Sequence, residues 1–148
     1  MTTDSVQNMA IKYMVMYGLF THKWNFYFDN ARSRVGFCSH RKKIISLSRE
    51  YIPQLERSEV KDTILHEIAH ALVGSGNGHN HIWKQKAIDI GCNGKRLYLG
   101  DACVIPKYKG TCPRCERAIF RNKRTNISCS KCDRRYNPDL LFTWEINN

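Results

Sequence analysis

Four cysteines stand as Cys112-Pro-Arg-Cys115 and Cys129-Ser-Lys-Cys132, with thirteen residues between the two pairs. No other feature of the sequence restricts the fold so tightly. Two C-x-x-C knuckles at this spacing bring four thiolates to the corners of one tetrahedron, the arrangement of a four-cysteine zinc ribbon. All four positions are then filled by protein, so such a zinc is structural. The chain has seven cysteines, an odd number that cannot pair off completely, and Cys38, Cys92 and Cys103 are scattered. A thioredoxin-like reading of one knuckle is weaker, because there are two of them and no βαβ pattern. Ala118–Phe120 and Asn126–Ser128 are expected to pair as strands between the knuckles. Met1–Ala10 is polar and holds Asp4 but no Lys or Arg, unlike a secretory signal. The expected setting is the cytoplasm, where paired cysteines mean metal before disulfide.

Charge sets the ribbon apart. The chain of 148 residues carries 24 Lys and Arg against 13 Asp and Glu, a formal net charge of +11. Residues 107–135 alone hold ten basic residues and two acids, Glu116 and Asp133. A basic segment of this kind attracts polyanions, nucleic acid first. The nucleic-acid candidates are Arg114, Arg117, Arg121, Lys123, Arg124, Lys131, Arg134 and Arg135. Tyr108, Phe120, Tyr136, Phe142 and Trp144 lie among or beside them. Basic groups with aromatic rings can follow a phosphate backbone and stack the bases of a single strand, with little sequence preference. Phe142 and Trp144 are expected instead to pack the ribbon onto the preceding domain. No uninterrupted apolar run approaches the ~18 residues of a membrane helix. Nothing in the pattern indicates a membrane partner or an obligate oligomer.

Ahead of the ribbon the hydrophobic pattern predicts an α+β domain. Met9, Tyr13, Met16 and Phe20 recur at helical spacing within residues 5–20. Trp24–Phe28, Val35–Cys38 and Lys43–Leu47 read as short strands of an antiparallel meander, with Arg41-Lys42-Lys43 in an exposed loop. Ser58 is expected to cap a helix with a broad apolar side from Val60 to Val73, ended by Gly74-Ser-Gly76-Asn-Gly78. A further helix runs from Asn80 or His81 to Ile90, and Gly91 stops it. Residues 95–106 form a bridge with a strand expected at Lys95–Leu99. Pro106 divides the chain into residues 1–106 and 107–148.

The helix before the glycines contains His66-Glu67-Ile68-Ala69-His70, the pattern H-E-x-x-H. Histidines four apart lie about 40° apart around a helix axis, one turn apart along it, so both imidazoles can meet one zinc. Glu67 projects beside the metal and can act as general base toward water while the zinc polarises a scissile carbonyl. A catalytic zinc needs a third protein ligand. No Glu lies between Glu67 and Glu116, which makes a downstream Glu ligand a poor reading. The metzincin pattern would need His and Gly where Gly76 and Val73 stand. The glycine-rich turn after His70 lets the chain double back, so that His79 or His81 can reach the metal.

H-E-x-x-H, a short glycine-bearing loop and then Gly78-His79-Asn-His-Ile-Trp83 resemble the SprT-like zinc metalloprotease family (SprT/Spartan type). Many members carry a C-terminal zinc ribbon, and the compact length is similar to that of bacterial and phage-encoded ones. The resemblance implies a zincin-like minimal metalloprotease domain, with helices and a small antiparallel sheet around the H-E-x-x-H helix. It implies His66, His70 and His79 as ligands of a catalytic Zn2+, Glu67 as the catalytic base, and Cys112, Cys115, Cys129 and Cys132 as ligands of a structural Zn2+. His81 falls at a non-ligand position of the pattern, and Trp83 is packing behind the site. The activity implied is zinc-dependent endopeptidase action on DNA-associated or DNA-crosslinked protein. Two rivals stand beside it: from another class, a non-catalytic nucleic-acid-binding protein stabilised by zinc, and a processing peptidase not linked to DNA. Tyr98, Tyr108 and His40 are possible auxiliaries.

Overall fold

A computed structural model describes residues 1–95 and 106–147. The chain forms two compact units, Met1–Cys103 and Val104–Asn148. The strand expected at Lys95–Leu99 and the auxiliary Tyr98 lie outside the described residues, apart from Lys95 itself, which is in no regular element.

The first unit opens with helix α1, Thr3–Met16. Thr2 caps it, its hydroxyl accepting the Ser5 N–H at 3.2 Å. The helix is shorter than the 5–20 span expected. Gly18 turns left-handed at φ 74° and stops it, and Phe20 falls in a separate 3-10 turn, Phe20–His22. The buried face is also different. Val6, Met9, Ala10 and Met14 point inward, whereas Met16 and Phe20 are exposed. Both stripes have helical spacing, and tertiary packing chose between them.

Three strands follow: β1 at Asn25–Asp29, β2 at Gly36–Ser39 and β3 at Ile44–Ser48. Their order is β1-β3-β2. The β2–β3 hairpin is antiparallel, but β1 pairs parallel with β3, Phe26 opposite Ile45 and Phe28 opposite Leu47. The expected antiparallel meander is therefore corrected to a mixed sheet. The segment between β1 and β2 is long enough to carry the chain across to the far edge of β3, and alternation of side chains says nothing about strand direction. Central β3 is buried from Ile45 to Ser48. Ser46 is tolerated there because its hydroxyl donates to Asp29 Oδ2 at 2.6 Å.

Helix α2, Arg57–Val73, packs against α1, β2 and α3, the last at His81–Asp89. Its cap is Glu56, not Ser58. Glu56 and Glu59 form a capping box in which the Glu59 carboxylate accepts the Glu56 N–H at 2.7 Å. Val60, Ile64, Leu65, Ile68 and Ala69 line the buried side of α2 and meet Val6, Met14, Ile45, Leu47 and Trp83 in the core. Each fully buried aliphatic side chain there contributes roughly 1.5–3 kcal/mol of transfer free energy.

The second unit is a three-stranded antiparallel sheet in the order β5-β4-β6, with β4 at Tyr108–Thr111, β5 at Ala118–Arg121 and β6 at Thr143–Ile146. The partner expected for Ala118–Phe120 is wrong. β5 pairs with β4, and Ser128 instead makes a single bridge to Leu141. Phe142 is buried with Cys112, Ile119, Cys129 and Leu140, and Trp144 packs against them. Both rings thus serve the ribbon's own core. Trp144 lies over Gly110, where an added Cβ would come within 2.9 Å of the indole.

Candidate active site and metal centres

The site is built on α2. Its capping box and buried stripe fix the helix, and the stripe's edge leaves His66, Glu67 and His70 facing β2. Past Val73 the chain reverses through Gly74, Gly76 and Gly78, all with positive φ. Asn77 holds this loop by donating its amide to the Val73 carbonyl at 2.7 Å. Asn80 then caps α3, its side-chain oxygen accepting the Trp83 N–H at 3.1 Å. The result returns His79 to the helix that ended six residues earlier at Val73.

His79 Nε2 lies 3.0 Å from His66 Nε2 and 3.1 Å from His70 Nε2. The three ligand atoms all fall within 4.8 Å of one another. His81, at the first turn of α3, is exposed and is not part of the group. Nitrogens at ~2.0–2.1 Å from a tetrahedral zinc sit ~3.3–3.4 Å apart, so the donor set fits such an ion with a shift of a few tenths of an ångström. Trp83 is 1% exposed and backs all three rings, stacking on His70 with centroids 5.2 Å apart. Burial, reinforced by the neighbouring imidazoles, pushes both His66 and His70 down to about 4. They are therefore neutral at pH 7, the form that ligates metal.

Glu67 sits under β2 and is 7% exposed. Gly36 makes room for it: a Cβ at that position would lie 2.5 Å from Glu67 Oε1. Burial raises the Glu67 carboxyl to about 8, and the guanidinium of Arg34 pulls the other way. Arg34 is held by Asp29 at 2.9 Å and stacks over Phe37 at 4.5 Å. An open cavity of about 300 Å³ lies in front, lined by Gly36, Cys38, His40, His66, Glu67, His70 and His79 among others. His40 donates from Nε2 to the His70 carbonyl at 2.7 Å, tying the β2–β3 turn to the end of α2. Tyr108 lies on β4 in the other unit.

Sequence reasoning missed Gly36 and Arg34. A single glycine or arginine carries no pattern, and only the register that sets β2 over α2 reveals them.

In the ribbon, Cys115 Sγ is 3.7 Å from Cys129 Sγ, and Cys112 Sγ is 3.9 Å from Cys132 Sγ. Four thiolates at ~2.3 Å from one zinc would stand ~3.8 Å apart. The four thiols are free of disulfides. Backbone N–H groups of Cys115 and Arg114 help draw the Cys112 thiol down to about 6, toward the thiolate. The eight basic nucleic-acid candidates are all exposed.

A helix bearing two histidines and a buried glutamate, a third histidine from the next loop and a small sheet alongside make a metallopeptidase-like domain with a candidate zinc site. The sequence profile of the SprT-like family matches residues 8–102, and the chain belongs to that family. No curated protein matches the chain. Among the described residues no helix is long and apolar enough to cross a membrane.

Proposed function

We propose that the protein is a zinc-dependent endopeptidase acting on protein that lies on, or is crosslinked to, DNA. One observation carries the peptidase half: three imidazole nitrogens converge beside a buried carboxylate at the floor of an open cavity. His66, His70 and His79 would hold the ion, and three protein ligands are the number a catalytic zinc site uses. Bound there, zinc would polarise a peptide carbonyl and acidify water. Glu67 takes the proton and returns it to the leaving amine. Burial makes its carboxylate a stronger base than a solvated one, and the charge of a bound zinc would favour the ionised form that accepts that proton. Trp83 and the Asn80 cap hold His79 in place.

The DNA half rests on charge. Residues 107–148 form the ribbon domain of this reading and residues 1–106 the protease domain. Four thiolates with one Zn2+ add about −2, which leaves the ribbon's surplus positive. Arg124 lies over the Tyr108 ring at 4.9 Å and Lys107 over it at 5.4 Å. Phe120 and Tyr136 are exposed, at 44% and 65%. Exposed rings and cations in one small ribbon are suited to a single strand. The cytoplasm is the compartment this reading requires.

The test is proteolysis of a free unfolded protein and of a DNA-bound protein, each with and without DNA. Cleavage stimulated by DNA supports the proposal. Cleavage indifferent to DNA favours the processing peptidase, and DNA binding without any cleavage favours the non-catalytic protein.

A further inference from the structure

The first unit has a charge asymmetry of its own. Between Ser5 and Arg49 the sequence holds eight Lys and Arg residues and a single acid, Asp29. That acid is already engaged by Arg34 at 2.9 Å and Ser46 at 2.6 Å, so it offsets little of the remainder. Four of the eight, Lys23, Arg41, Lys42 and Lys43, are exposed and meet at one corner of the sheet. The Asn25 N–H donates to the Lys43 carbonyl at 2.9 Å, and the Lys43 ammonium donates to the His22 carbonyl at 3.2 Å. The start of β1 and the β2–β3 turn are thereby fastened side by side.

Two of these lysines are unusual in the backbone as well. Lys23 has φ 64° and Lys43 φ 51°, left-handed positions where glycine or asparagine is the unstrained choice. Phe20, 38% exposed, opens the 3-10 turn that leads into Lys23. The corner also adjoins the candidate active site. His40 lies in the same turn, meets Trp24 edge-on at 5.7 Å, hydrogen-bonds the His70 carbonyl and lines the cavity.

We infer that Lys23, Arg41, Lys42 and Lys43, with Phe20, form a second nucleic-acid site, one that grips the phosphate backbone of single-stranded DNA at the rim of the catalytic cavity. The inference rests on the DNA half of the proposed function and adds to it a binding surface outside the ribbon. Four cations within two short segments match successive phosphates, and an exposed ring beside them can stack a base. An anionic membrane is the poorer fit, because surface binding also needs an apolar face to bury, and the turn from Ser39 to Lys43 offers no apolar side chain. Held here, the strand would keep a protein attached to it within reach of Glu67 and the three histidines.

The experiment uses the full chain loaded with zinc. A K23N/R41Q/K42Q/K43N variant keeps asparagine where φ is positive. It is compared with wild type and with a ribbon variant, R121Q/K123Q/R124Q. Each is titrated with a fluorescent single-stranded oligonucleotide at several salt concentrations and with vesicles of anionic phospholipid. Zinc content and thermal melting check that each variant folds. The expected result is a fall in affinity of roughly tenfold or more at low salt, and a log–log salt slope shallower by about 3, near 0.7 for each phosphate no longer neutralised. An unchanged slope in the corner variant, with a reduced one in the ribbon variant, overturns this inference and leaves the proposed function standing. Wild type that does not bind the oligonucleotide overturns both. Loss of vesicle binding with oligonucleotide binding intact overturns the inference in favour of a membrane.

Discussion

Glu67 is a carboxyl buried at a cost to the fold, in the place where the proposed chemistry needs a base. The missing Cβ at Gly36 lets its carboxyl lie beneath β2, and the same enclosure raises it to about 8. In E67Q the three imidazoles are untouched, so zinc content should equal that of wild type. Proteolysis should fall by about 10²–10⁴, the usual worth of a general base. Metal analysis beside a peptide-cleavage assay checks this, and a metal-free variant would mean that Glu67 holds the ion. The raised carboxyl also has a thermodynamic consequence in the metal-free protein. A group whose folded value lies above its unfolded value, here 4.5, contributes full stability at low pH and loses it as pH rises toward about 8. Glutamine does not titrate. The melting temperature of metal-free E67Q, relative to wild type, should therefore climb between pH 5 and pH 8. A difference that stays flat across that range would show the carboxyl to be solvated. His66 and His70 have the opposite sign. Their folded values lie below the unfolded 6.5, so they weaken the metal-free fold as pH drops from there toward about 4, equally in both proteins.

The elements that present the site are α2 and the loop behind it. The loop's three glycines at positive φ and its Asn77 and Asn80 bonds return His79 to His66 and His70 and leave His81 facing solvent. H79A should lose the zinc of the first unit, whereas H81A should keep it, as read by metal content after gel filtration. A reversed result would move the ligand role to His81. Much of this is legible in the sequence. Helix period alone puts His66 and His70 on one side of the helix with Glu67 beside them, and the run of glycines after Val73 says that the chain turns back. Which histidine arrives is not legible from spacing, since His79 and His81 are both near enough, and only the Asn80 cap that begins α3 decides the phase. The sheet is half legible. Alternation places all three strands, but the parallel pairing of β1 with β3 depends on where a connecting segment crosses, which no local pattern encodes. The cap of α2 departs from expectation for a related reason. Ser58 has the better side chain for the role, yet the Glu56–Glu59 pair closes a capping box that starts the helix earlier.

At the scale of the whole molecule two candidate metal sites of different character share one chain. The three-histidine site opens onto a cavity, while the four-cysteine site has two of its sulfurs, those of Cys112 and Cys129, in residues with no exposed surface. Elemental analysis should find two zinc ions per chain, and mild chelation should remove the one that supports proteolysis first. Loss of both together, or a single ion per chain, would count against separate catalytic and structural roles. The ribbon's charge is the remaining consequence. Its eight exposed cations include Arg121, Lys123 and Arg124, which follow one another at the end of β5 close to Tyr108. Each phosphate neutralised releases counterions, so log K should fall linearly with log[salt], by about 0.7 per phosphate on a single strand and 0.9 on a duplex. R121Q/K123Q/R124Q should make that line shallower by about 2 and should lower cleavage of a DNA-bound protein more than cleavage of the same protein free in solution. The second measurement matters because a weaker fold would slow both reactions alike. If both fall together, or if binding is tight and insensitive to salt, the ribbon does not bring the protease to DNA by charge.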